Sequence, residues 1–75
     1  MKSAIDLYVI EAIRRRRMAL KMSQATLAEC LQVSKGFVGM AESPKYDIKY
    51  NLRHINLIAK YLECSPRDFL PDEPL

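Results

Sequence analysis

The sequence predicts an all-α fold of five helices, with two short helices joined by a tight turn at its centre. Apolar residues recur at three- and four-residue steps, and no segment shows the period of two that is typical of a strand. Good helix-capping residues divide the chain into five segments, at Ser3, Ser23, Ser34, Asn51 and Ser65. With 75 residues, of which 49% are hydrophobic, the chain is near the lower limit for a self-sufficient core. We therefore expect one domain over residues 1–75.

The first predicted helix begins at Ser3, which pairs with Asp6 in the pattern of a capping box. Its buried stripe runs through Ile10, Ile13, position 17 and Leu20. Four consecutive arginines, residues 14–17, fan through about 300° around a helix, so one of them must point inward. The stripe indicates that this residue is Arg17. A buried guanidinium needs a carboxylate partner, unless its stem packs and its head reaches water.

The second and third predicted helices are short. Ser23 is a good N-cap for the second helix, whose inward residues are Leu27, Ala28 and Leu31. Ser34 offers the next N-cap, so the second helix has barely two turns. The third helix is then predicted from about Ser34 to Glu42, with Val38 and Ala41 facing inward.

Two further helices are predicted in the last third of the chain. Pro44 interrupts the polar segment after the third helix, and Asn51 caps the fourth. The fourth helix has a strong amphipathic pattern formed by Leu52, Ile55, Ile58, Ala59 and Leu62. Ser65 and Pro66 open a short fifth helix, which Pro71 ends.

Positive charge is concentrated in the middle of the chain. The net charge is +3 overall, but residues 14–53 carry +6 and the two ends together carry −3. Such asymmetry is expected of a surface that binds a polyanion, although a mixed, solvated surface is the alternative.

The composition also argues against several classes of function. No apolar run approaches the roughly 18 residues of a membrane span, and the basic cluster follows the first apolar segment, unlike that of a signal peptide. We therefore expect a cytoplasmic protein with no membrane partner. Cys30, Cys64 and His54 are too scattered for a zinc site, so we expect free thiols and no metal or cofactor. One His and no nucleophile–base pair or glycine-rich phosphate loop leave no candidate enzymatic site.

Residues 10 to 70 resemble the helix-turn-helix family of the phage lambda and 434 repressors and Cro, also called the Xre family. The matching positions of the motif are Gln24, Ala28, Val38, Ala41 and Glu42, and the segment "HINLIAKYLECSPRDFL" is similar to the family's closing helices. The resemblance implies a lambda-repressor-like DNA-binding domain in which Gln24 contacts a phosphate and Ala28 allows close helix crossing. It also implies that Arg17 and Glu42 form an ion pair between the first and third helices, which would supply the partner that Arg17 needs.

The family inserts its third helix, here residues 34–42, into the major groove of double-stranded DNA. Positions at which relatives often carry Gln, Arg, Ser or Asn are here Lys35, Gly36 and Met40. We expect Lys35 to donate to guanine, Gly36 to let the backbone approach closely, and Phe37 and Met40 to contact thymine methyls. Phosphate contacts are expected from Ser23, Gln24, Ser34 and Lys45.

Two of the family's usual features are altered. Gln32 stands where the turn usually has glycine, so either a non-glycine residue takes the left-handed conformation or the turn shifts. The loop after Glu42 is also longer than the commonest family form.

The function that the resemblance implies is transcriptional regulation, with repression favoured over activation. Relatives usually bind as dimers, and the extended first helix and the C-terminal "FLPDEPL" are the two candidate homodimer surfaces. The alternative is an antitoxin or accessory regulator that acts mainly through protein contacts, with a toxin as a possible partner.

Overall fold

Four α-helices and one short 3-10 helix form the fold in the computed structural model, which describes all residues 1–75. The helices are α1 (Ala4–Ala19), α2 (Gln24–Leu31), α3 (Phe37–Glu42), α4 (Leu52–Tyr61) and the 3-10 helix (Pro66–Phe69), and there is no strand. The all-α prediction is therefore confirmed, but the count of five α-helices is not. Only five positions lie between Ser65 and Pro71, and the residue before a proline avoids helical backbone, so the last segment closes a single 3-10 turn.

Side-chain caps begin four of these elements where the sequence predicts them. Ser3 caps α1, Ser23 caps α2, Asn51 caps α4 and Ser65 caps the 3-10 helix, each accepting a hydrogen bond from a backbone N–H two or three residues later. These bonds satisfy amides that have no partner within their own helix.

The predicted start of the third helix is wrong by three residues. Ser34 is exposed, and its side chain makes no capping bond; instead its carbonyl accepts the N–H of Phe37 in a turn at 3.0 Å. Gly36 occupies the N-cap position, so α3 has only six residues. Glycine propagates a helix poorly, which accounts for the late start.

Gln32 takes the left-handed conformation, with φ 57° and ψ 41°, and ends α2. The Val33 N–H donates to the Ala28 carbonyl at 3.1 Å and the Gln32 N–H donates to the Glu29 carbonyl at 3.1 Å, which is the bonding of a Schellman motif. Of the two alternatives for this position, the turn therefore keeps its place and a non-glycine residue adopts positive φ.

The core is one cluster to which every element contributes, with α2 packed against α3 and α4 and the 3-10 helix packed against α1 and α4. Its fully buried side chains come from every element: Ile13, Leu27, Ala28, Leu31, Val38, Ala41, Ile58, Ala59, Leu62 and Phe69. Leu20 was expected to continue the buried stripe of α1, but it is exposed. The reason is that α1 ends at Ala19 and Lys21 turns the chain with φ 56°, so the stripe stops at Arg17.

Candidate nucleic-acid interface

The helices α2 and α3 form a helix-turn-helix whose relative orientation is fixed by an ion pair from α1. Arg17 donates from Nε to Oε2 of Glu42 at 3.0 Å and from Nη2 to Oε1 at 2.8 Å. Their side chains are only 10% and 6% exposed. A third bond, from Arg17 Nη1 to the Met22 carbonyl at 2.8 Å, ties the pair to the segment that leads into α2. Bidentate geometry in a largely dry site fixes the end of α3 against α1.

Gln24, the first residue of α2, extends across to α3. Its Nε2 donates to Oε1 of Glu42 at 2.9 Å, so Glu42 accepts from both Arg17 and Gln24. Gln24 is itself exposed. The sequence offered no indication of this bond, because the family pattern assigns Gln24 to phosphate and Glu42 to Arg17.

Because α3 starts only at Phe37, some of the residues predicted to contact bases lie before the helix and others lie within it. Lys35 and Gly36 lie in the turn before the helix and are exposed, while Met40 lies within it and is half-buried. Met40 is close to Gly36, since a methyl group added at Gly36 would meet only the Met40 Cε, at 4.0 Å. Gly36 and Met40 therefore lie side by side, while Lys35 borders a hollow next to α2, lined by Ala25, Thr26 and Glu29.

Phe37 lies on the opposite side of α3 and has a packing role. Its ring is half-buried against the core and meets His54 edge-on at 5.2 Å between ring centroids, with Tyr50 at 6.2 Å. The ring thus holds α3 against the start of α4, and the predicted contact of Phe37 with thymine methyls stays a prediction.

The residues predicted to contact phosphates lie on the rim of the helix-turn-helix. Ser23, Ser34 and Lys45 are all exposed. The Ser23 hydroxyl is used in capping, since it accepts the Thr26 N–H at 3.0 Å and donates to Thr26 Oγ1 at 2.9 Å. The amides at the start of α2 have no intrahelical acceptor and point outward along the helix axis.

Much of the positive charge in the middle of the chain is used inside the protein. Arg16 donates to the Leu62 carbonyl at 2.8 Å and so caps the end of α4, while Arg14 and Arg15 both contact Glu11. The side chains with neither an ion pair nor a hydrogen bond are those of Lys21, Lys35, Lys45 and Arg53. Any polyanion surface is therefore smaller than the sequence count suggests.

Lys2 is a structural residue that the sequence reasoning did not find. Its Nζ donates to the carbonyls of Ala41 and Ser43 at 2.6 and 2.7 Å, across about 40 positions of the chain. A cation at the C-terminal end of α3 satisfies free carbonyls and complements the helix dipole. Contacts at this separation leave no periodic pattern in a sequence, so no local signal predicted it.

The structure contains neither a cluster of metal ligands nor a helix that could cross a membrane. No group of three or more His, Cys, Asp or Glu side chains is arranged to hold a metal ion. None of the helices combines the length and apolar character needed to span a bilayer.

The fold and the geometry of α2 and α3 define a small, all-helical helix-turn-helix protein. Among solved structures, the chain is similar to the restriction-modification controller protein C.AhdI from Aeromonas hydrophila, with a TM-score of 0.70 and 26% sequence identity. The likeness covers 85% of this chain and 94% of C.AhdI. No protein-family model matches the chain, and no curated protein matches it either.

Proposed function

We propose that the chain is a cytoplasmic DNA-binding transcriptional regulator, acting as a repressor, that inserts α3 into the major groove of double-stranded DNA. The observation that carries the proposal is the helix-turn-helix held rigid by the buried Arg17–Glu42 pair. Similarity to a restriction-modification controller protein supports a regulatory role. The major groove is about 12 Å wide and admits one α-helix.

The base contacts come from the turn before α3 and from α3 itself. Lys35 donates to guanine O6 and N7, Gly36 lets the backbone approach the base edges, and Met40 meets thymine methyls. The exposure of Lys35 and Gly36 and the free ammonium of Lys35 support these assignments. Phe37 acts indirectly, by holding α3 against α4.

The phosphate contacts come from the rim. Gln24, Ser34 and Lys45 donate from their side chains, and Ser23 contributes by presenting the amides at the start of α2. Because Lys45 has no partner within the chain, its ammonium is free to neutralise a phosphate.

The active form is a homodimer. Half-sites lie about 34–36 Å apart on DNA, and the longest dimension of one copy is 30 Å, so two copies side by side span one site. Exposed apolar residues support two surfaces: Leu7 (53%) and Tyr8 (44%) on α1, which Leu75 (66%) adjoins, and Leu70 (41%) after the 3-10 helix. Sedimentation equilibrium of Leu7→Lys and Leu70→Lys distinguishes the surfaces, since only the interface variant becomes monomeric.

Selection from random DNA, followed by a salt titration of the selected site, tests the function. We expect a linear log–log dependence with a slope of about −0.9 for each phosphate neutralised. No binding at low salt, or a slope near zero, would overturn the proposal.

A role directed at a protein partner, such as a toxin, is the second candidate. The observation that favours it is the scarcity of polar side chains around the start of α3. Lys35 carries the only charge there, and it is followed by Gly36 and Met40. In that case Lys35→Ala and Met40→Ala lose the partner in a pull-down experiment and leave any DNA binding intact.

A further inference from the structure

Gln24 is a flexible surface side chain that the fold holds in one place. Its Nε2 donates to Glu42 Oε1 at 2.9 Å, and that oxygen also accepts from Arg17 Nη2 at 2.8 Å. The atom facing the carboxylate must be the nitrogen, because a carbonyl oxygen there would be repelled. Glu42 is in turn fixed by the bidentate pair, so the position of Gln24 is tied to a buried anchor.

Gly39 provides the space in which the Gln24 amide lies. A methyl group added at Gly39 would lie 3.1 Å from Gln24 Oε1, closer than most real contacts, and 3.7 Å from its Cδ, an ordinary contact. Gly39 does not have positive φ, so its backbone does not require glycine. The absence of a side chain at position 39 therefore serves the amide of Gln24, which rests on the surface of α3.

We infer that Glu42 and Gly39 are positioning residues for DNA binding, which act by holding the Gln24 amide on the DNA-facing surface of α3. The inference rests on the proposed function. The amide has two N–H donors, of which Glu42 takes one, so the second donor remains for DNA. Fixing a Gln side chain on binding costs conformational entropy, and a side chain that is already held in the free protein avoids that cost.

A double-mutant cycle between positions 24 and 39 tests the inference. We expect Gly39→Ala to weaken binding to the selected DNA about fivefold, the effect of losing one hydrogen bond. In the Gln24→Ala background, Gly39→Ala should have no further effect, because there is no amide left to displace. Gly36→Ala is the matched control: its methyl group is 4.0 Å from the nearest side-chain atom, so its effect should add to that of Gln24→Ala.

NMR of the free protein tests directly whether the Gln24 amide is held in place. In wild-type protein, the NMR signals of the Gln24 side-chain amide should differ from those of a free glutamine, because one proton is bonded to a carboxylate. Gly39→Ala should move them toward free values, and Gly36→Ala should leave them unchanged.

The outcomes separate the inference from the proposed function. If wild-type protein binds no DNA, both are overturned. If wild-type protein binds DNA but Gly39→Ala weakens binding equally in both backgrounds, the methyl group meets DNA directly and only the inference is overturned. If Gly39→Ala leaves the affinity for DNA or the amide signals unchanged, the inference is likewise overturned and the proposed function is not.

Discussion

Arg17 and Glu42 are joined by two hydrogen bonds between guanidinium and carboxylate, across 25 positions of the chain. Because both side chains are almost completely buried, removing one partner leaves an uncompensated charge in the interior. The same carboxylate holds Gln24, so this pair links the stability of the fold to the surface of α3.

Arg17→Ala should therefore lower the free energy of unfolding by about 3–5 kcal/mol, a large part of the total stability of a domain this small. Arg14→Ala is the matched control, since its side chain is 42% exposed and meets Glu11 only at 3.4 Å. It should cost less than about 1 kcal/mol. Urea unfolding measures both, and equal losses would show that the wrong arginine is assigned to the interior.

The stability should depend on pH through His54. Burial, with a smaller effect from the charge of Arg53, lowers the pKa of His54 below its ordinary value of 6.5. Its Nδ1 accepts the Asn51 N–H at 3.1 Å, a bond that requires the unprotonated nitrogen. Below the ordinary pKa the unfolded chain binds the proton more readily than the folded one, so stability falls as the pH decreases. Above pH 6.5, the contribution of unprotonated His54 to the free energy of unfolding is complete and constant.

Thermal unfolding between pH 5 and pH 7.5 checks this, with His54→Gln as the control. Glutamine at the third position of a helix keeps an acceptor for the N-cap amide but does not titrate. The decline in stability toward pH 5 should be smaller in this variant. An unchanged pH dependence would assign the titration to another group.

Tyr50→Phe should stabilise the protein. The Tyr50 hydroxyl is buried and has no hydrogen-bond partner, and its burial raises the pKa of the phenol. An unpaired buried hydroxyl costs about 1–3 kcal/mol of desolvation, so removing it should raise the free energy of unfolding by about 1 kcal/mol. That corresponds to about 4–8 °C in Tm for a domain of this size. Tyr61→Phe, at an exposed position, should change nothing.

What the sequence predicted well depends on local interactions. Ser3, Ser23, Asn51 and Ser65 were predicted as caps because a capping bond joins residues two or three positions apart. The inward position of Arg17 followed from helical periodicity, and the left-handed turn residue at Gln32 was one of two stated alternatives.

What the sequence missed depends on contacts between distant segments. Lys2 on the end of α3, the Gln24–Glu42 bond and the packing of Phe37 on His54 join residues 17 to 41 positions apart. Ser34 was a good cap by type, but the glycines that follow make the first turn of helix unfavourable, so α3 starts later. The candidate site was thus predicted as a set of residues, and of their mutual contacts only the Arg17–Glu42 pair was predicted.

Lys35→Ala should weaken binding to the selected DNA and relax the preference at one base pair, by about 1–3 kcal/mol of discrimination. Its ammonium is exposed and unpaired beside the start of α3. Lys60→Ala, an exposed lysine on α4, is the control of equal charge. Binding to a panel of single-base variants checks the prediction. Equal loss on every sequence, with a salt slope reduced by about 0.9, would make Lys35 a phosphate contact instead.

The two glycines should respond differently to alanine. Gly39 lies inside α3, where alanine is the better helix former by up to about 1 kcal/mol, less the cost of displacing the Gln24 amide. Gly36 is at the N-cap, where alanine is worse than glycine, so Gly36→Ala should give no gain or a small loss. Urea unfolding measures the free energy of unfolding of both variants, alone and combined with Gln24→Ala. The gain in stability from Gly39→Ala should be larger in the Gln24→Ala background, because the amide is absent. Equal gains at both positions would mean that the helix begins at Ser34 after all.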